Sequence, residues 1–166
     1  MYFRVEFHRS RVGTQFFYLF RHFDDAFVGL QSGAGNIAPG TNLKVLFGGK
    51  RSVTIEPGAV VYSDAVSLSF VKNSNDALLD GRKLAVSFHV VGNSGPMTWH
   101  AKAIQTSYLT APRAGSHGGE DSDASFPYTT TSWYFVDAFE VMAPANTLVV
   151  ACFGDSITDG TLSTLN

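Results

Sequence analysis

From about residue 26 the chain is cut into short apolar runs separated by turn signals, and that spacing most restricts what it can fold into. The runs are 26–31, 43–47, 52–56, 59–62, 66–71, 84–91, 97–100, 103–109 and 132–141. Between them stand Gly33-Ala34-Gly35-Asn36, Pro39-Gly40, Gly48-Gly49, Pro57-Gly58, Asn73-Ser74-Asn75-Asp76 and Gly95-Pro96. Runs this short suit strands, because a strand crosses a small domain in few residues while a helix of that length is marginal. Many short strands with frequent turns predict a mainly β protein, a β-sandwich of jelly-roll-like type. Aromatic residues at 13% and 16 glycines agree, since rings pack on pleated surfaces and glycine accepts turn dihedrals.

Alternation sharpens the expectation. Leu84, Val86, Phe88 and Val90 fall on one face of a strand, Ser87 and His89 on the other. Trp133, Phe135, Phe139 and Val141 share a parity that Asp137 interrupts, so a bulge or a polar partner is required there. Residues 1–25 mix aromatics with Arg and His without a sustained period; one or two strands are expected in this segment. The stretch 113–131 has no apolar period and reads as a solvated surface loop carrying His117, Glu120, Asp121 and Asp123.

After Pro144-Ala145-Asn146 the pattern changes. Residues 148–153 (LVVACF) are continuously apolar, as expected of a strand buried on both faces of a parallel sheet. Cys152, the single cysteine, is therefore expected to be a buried, inert thiol. Gly154-Asp155-Ser156-Ile157-Thr158-Asp159-Gly160 follows at once. A strand end followed by a turn exposes a serine hydroxyl, and a helix start beyond it would offer free N–H groups to an oxyanion. Gly154 allows a close backbone approach, and Thr158 and Asp159 are candidate caps for that helix. The division expected is an N-terminal segment 1–25, a β-sandwich over 26–145, and the start of a second domain over 146–166.

Gly154 to Gly160, directly after its apolar run, resembles block I of the GDSL/SGNH hydrolases. PGT at 39–41, FGG at 47–49, SVTIEPGA at 52–59, SDAV at 63–66, GPMTWH at 95–100, QTSY at 105–108 and TTSWYF at 130–135 resemble the β-sandwich that precedes the catalytic domain in one branch of that family. The resemblance covers roughly residues 26–166. It implies that 146–166 begins an α/β hydrolase domain that stops short, with Ser156 as nucleophile and its backbone N–H as one oxyanion donor. Gly154, Asp155, Thr158 and Gly160 would shape the motif. It also implies an ester substrate, an acetylated polysaccharide being the expected class, and a secreted setting. The family's later oxyanion donors and its Asp-x-x-His base have no counterpart in 1–166, so the fragment itself is expected to be inactive.

Other chemistries weigh less. His89, His100 and His117 are candidates for a local base, with structural or surface roles the ordinary expectation. The spacing of His117, Glu120, Asp121 and Asp123 matches no common metal-ligand pattern, and no metal or cofactor is expected. Trp99, Trp133, Tyr108 and Tyr134 are a candidate sugar-stacking set, with core positions the commoner fate of such residues. The alternative function is a non-catalytic module that binds carbohydrate or packs against a catalytic domain. The net charge of −2 and the absence of a Lys/Arg run argue against nucleic acid. No stretch approaches the ~20 apolar residues of a membrane helix. FFYLF at 16–20, flanked by Arg11 and Arg21, is too short for a signal-peptide core. An apolar strand without neighbours would also invite self-association.

Overall fold

The computed structural model describes residues 2–8, 21–72, 78, 81–93, 97, 99–142, 146–148 and 150–164. The turn at Asn73–Asp76, Gly95-Pro96 and the Pro144-Ala145 junction lie outside them. The protein is mainly β, and no α-helix occurs among the described residues. Its strands are β1 (Tyr2–His8), β2 (Arg21–Gly33), β3 (Asn36–Ile37), β4 (Leu43–Val45), β5 (Val53–Ile55), β6 (Val60–Tyr62) and β7 (Val66–Ser67). They continue with β8 (Leu84–Val91), β9 (Trp99–His100), β10 (Ser107–Leu109), β11 (Tyr128–Thr130), β12 (Trp133–Tyr134) and β13 (Val136–Val141).

Every ladder among these strands is antiparallel. The larger sheet is built around β2, which runs through residue 25 without a break. β8 pairs along one edge of it, and β5, β4 and β3 follow one another along the other. The second sheet is centred on β1, with β13 on one side and β6 and β7 on the other. Two short ribbons, β10–β11 and β9–β12, complete the structure. Of the expected loop 113–131, residues 128–130 form strand β11, where the threonines of Tyr128–Thr130 suit a ladder better than their polarity alone suggests.

One apolar cluster joins both sheets. Phe23, Val28, Val45 and Ile55 come from the larger sheet, Val66 from the smaller, and Phe47, Leu68, Val71 and Phe135 from connections. Phe23, Phe88 and Phe135 meet edge to face, with centroids 5.4 to 6.2 Å apart. Each buried side chain of this size contributes about 1.5–3 kcal/mol on removal from water, and each ring pair adds roughly 0.5–1.5 kcal/mol. As the alternation requires, Val86, Phe88 and Val90 pack on this cluster from β8.

Two bulges decide which side chains reach it. Glu6 pairs with Ala138 and Phe7 with Val136, so Asp137 is the extra residue of β13; the bulge answers the polar interruption seen in the sequence. In β2, Phe23 pairs with Val90 and Asp25 with His89, leaving Asp24 as the extra residue. The buried parity changes there. Arg21 and Phe23 precede the bulge, and Ala26, Val28 and Leu30 follow it. The opposite face of β2 then presents Asp25 and Phe27 to the 113–126 segment, whose Gly118 and Gly119 lie against the Phe27 ring.

Candidate active-site segment and the histidine clusters

The strand expected to deliver Ser156 is not formed. Residues 148 and 150–153 belong to no strand, and Leu148, Val150 and Phe153 are exposed, at 86%, 73% and 103%. A strand buried on both faces needs neighbours for its N–H and C=O groups and covering elements on each side. None of the described strands runs beside it. Cys152 is correspondingly exposed rather than buried.

The motif nevertheless has a definite local geometry. Asp155 Oδ1 accepts the Ile157 N–H at 2.9 Å. The Asp159 N–H donates to the Asp155 carbonyl at 3.0 Å, Gly160 N–H to Ile157 O at 3.1 Å, and Thr161 N–H to Ser156 O at 2.9 Å. These bonds close one compact turn with Ser156 on its exposed side. A side chain at Gly154 would collide with Thr158 Oγ1, so glycine is required there by close approach. Gly160 has φ +84° and lies against Ile104. The helix start expected after Ser156 is replaced by this turn, and Asp155, rather than Thr158 or Asp159, supplies the capping oxygen.

Asp159 instead meets His100, whose Nε2 lies 3.2 Å from Asp159 Oδ2. Both side chains are nearly half exposed, so the pair is a weak tether between the β9–β12 ribbon and the turn. Among the described residues no histidine hydrogen-bonds Ser156. His89 Nδ1 lies 2.8 Å from Asp24 Oδ1 on the outer side of the larger sheet. Ser116 Oγ donates to Asp25 Oδ2 at 2.5 Å. Serine, histidine and carboxylate thus occur close together, but Ser116 and His89 engage different carboxylates, so no proton relay from serine to imidazole exists there.

His117 lies on the 113–126 segment, with Nδ1 2.7 Å from Glu120 Oε1 and Nε2 3.1 Å from the Ala114 carbonyl. No group of three His, Cys, Asp or Glu side chains suited to a metal occurs among the described residues. Asp123 is engaged by the Gly35 N–H, and Asn42 Nδ2 holds the carbonyls of Gly118 and Glu120. The expected solvated loop is therefore a strap tied to the sheet. The sequence signal that points to this is the Asp24-Asp25 pair set within an apolar strand; a polar pair there demands partners from elsewhere.

The aromatic set divides. In the β9–β12 ribbon Trp133 pairs with His100 and Tyr134 with Trp99, which places the two tryptophans on opposite faces. Both are exposed, at 57% for Trp99 and 43% for Trp133, while Tyr134 packs on the core. Tyr108 is half-buried against Gly35. No helix is long and apolar enough to cross a membrane among the described residues.

No family model matches the chain, and no curated protein matches it either.

Proposed function

We propose that residues 1–166 form the N-terminal portion of a GDSL/SGNH-type serine ester hydrolase, with Ser156 as nucleophile and acetylated carbohydrate as the substrate class. The observation that carries this reading is the seven-residue motif Gly154–Gly160, set on a turn that leaves the Ser156 side chain exposed. On this reading the two antiparallel sheets form the sandwich that precedes the catalytic domain, and 146–166 is the entry to that domain. The exposed Leu148, Val150, Phe153 and Ile157 would be covered by its remaining strands and helices, or by self-association in their absence.

The chemistry is acyl transfer. Ser156 Oγ bonds to the ester carbonyl carbon while its proton passes to a general base. The tetrahedral oxyanion is held by N–H donors, that of Ser156 among them. The ester C–O bond then breaks, the alcohol leaves with the proton, and water hydrolyses the acyl-serine. No Asp-x-x-His occurs in 1–166, so the base is assigned to further sequence.

The 166-residue chain is expected to show no Ser156-dependent turnover of p-nitrophenyl acetate. In a protein extended through a downstream Asp-x-x-His, Ser156→Ala is expected to reduce turnover by several orders of magnitude. Activity of the extended protein that survives this change defeats the assignment.

A second reading is a non-catalytic module that binds carbohydrate, favoured by the exposure of Trp99 and Trp133. Calorimetry with acetylated xylan fragments separates the two. Binding lost in Trp99→Ala but kept in Ser156→Ala supports the module.

A further inference from the structure

We propose that the 113–126 strap is proton-operated: a doubly protonated His117 fixes the local conformation in which the strap lies on the outer face of the larger sheet, and the strap loosens when that ring loses a proton. The geometry requires two ring donors. Glu120 Oε1, 2.7 Å from Nδ1, and the Ala114 carbonyl, 3.1 Å from Nε2, are both acceptors. A neutral imidazole carries one N–H and cannot serve both; an imidazolium carries two. The Glu120 N–H also donates to the His117 carbonyl at 3.0 Å, and Ser125 Oγ donates to Glu120 Oε2 at 2.8 Å. Residues 114, 117, 120 and 125 are thus gathered around one ring, whose edge also meets Phe126 with centroids 6.5 Å apart.

The strap so shaped makes its own contacts with the sheet. Gly118 lies on Phe27 and its carbonyl accepts from Ser87 Oγ and Asn42 Nδ2; the Ile37 N–H donates to the Asp121 carbonyl. Beneath Ser116 sits Asp25, almost wholly buried, with Oδ1 unpartnered among the described residues. Loosening of the strap would bring water to that carboxylate.

The charged and titratable groups on the elements packed together here are Arg113, Glu120, Asp121 and Asp123 in the strap, Arg21, His22, Asp24 and Asp25 on β2, His89 on β8, and Arg51; Arg21 donates to the Asn93 carbonyl and His22 meets Thr54. Asp24 is engaged by His89, Asp25 by Ser116 and Arg51, and Asp123 by Gly35. Glu120 is left as the direct partner. Its hydrogen bond, followed by that of the Ala114 carbonyl, raises His117 above its ordinary 6.5. The His117 hydrogen bond, followed by that of Ser125, lowers Glu120 below its ordinary 4.5. The histidine's contribution is complete below 6.5 and is lost as pH rises through its raised folded value. The glutamate's contribution is complete above 4.5 and is lost as pH falls through its lowered folded value. The strap is tightest between these limits.

Residue-resolved amide exchange of the full chain, corrected for intrinsic rates, tests this beside ring-proton titration of each histidine by NMR. Protection of residues 117–124 relative to β2 is expected to fall between slightly acidic and alkaline pH, with the midpoint of the His117 ring. His117→Gln, with a single amide donor group, should show the low protection already in mild acid and no transition. Glu120→Gln should move the midpoint down. His89→Gln, which alters the other histidine under the strap, should leave it in place. Protection that stays flat with pH, a midpoint that follows His89, or a neutral His117 ring in mild acid overturns the proposal, and the ring titration needs no variant to fold.

Discussion

Asp64 shows how much one side chain can hold. Gly48 and Gly49, at φ +57° and +77°, form the two-residue turn that pairs Phe47 with Lys50, a conformation open to glycine at both positions. Asp64 Oδ1 accepts the Gly48 N–H at 2.8 Å and Oδ2 the Gly49 N–H at 2.7 Å. Its own N–H donates to the Leu46 carbonyl at 2.7 Å, so the hairpin and the β6–β7 connection are stitched together. Asp64→Ala is expected to cost about 1–3 kcal/mol, because charge-assisted bonds to two N–H groups disappear together. The measurement is a lower urea midpoint at unchanged slope; an unchanged midpoint would show that water replaces the carboxylate at no cost. The glycine pair is legible from sequence as a turn, but its carboxylate partner fifteen and sixteen positions away is not. Cys152 makes the same point in reverse. Its apolar neighbours suggested burial, yet no second element arrives to bury it.

Among the elements, the break between β12 and β13 carries backbone strain. The run 132–141 reads as one strand, but Phe135 has φ +62°, a region that bulky side chains seldom occupy. The ring compensates by burial, packed edge to face on Phe23 and Phe88. Its position turns the chain from the β9–β12 ribbon into the sheet of β1. Phe135→Ala is expected to cost about 3–5 kcal/mol, the usual range for a buried phenylalanine. Phe135→Gly should be better tolerated than Ala by about 1 kcal/mol despite losing one more carbon, since the left-handed backbone penalises any Cβ. Thermal or urea unfolding of the two variants decides this, and an alanine protein as stable as the glycine one would show that the backbone at residue 135 is unstrained. β2 illustrates the same dependence. Its apolar run over 26–31 is visible in the sequence, while the shift at Asp24 that turns Arg21 and Phe23 inward depends on pairing with β8.

For the molecule as a whole, one apolar cluster joins the two antiparallel sheets, and the described residues of 146–164 add almost nothing to it. Leu148, Val150, Phe153, Ile157 and Leu162 are exposed, and the turn touches the β body at His100 and Ile104. Ending the chain at residue 145 is expected to shift the unfolding midpoint by less than about 2 °C, since an exposed ion pair and one apolar touch hold the segment only weakly. A fall of more than ~5 °C would mean that the segment packs on the sheets in solution. The sequence alone determined that the protein is mainly β, where the turns at 33–36, 39–40, 48–49 and 57–58 lie, which face of β8 meets the core, and that Asp137 needs a bulge or a polar partner. Each of these follows from periodicity or turn chemistry among residues near one another in the chain. The tertiary structure alone decided that the acidic 113–126 segment is a strap, that the two tryptophans face apart, that His100 meets Asp159, and that the apolar run before Ser156 stands uncovered. Those outcomes depend on which distant element arrives to supply a partner or a cover, and no local pattern encodes that.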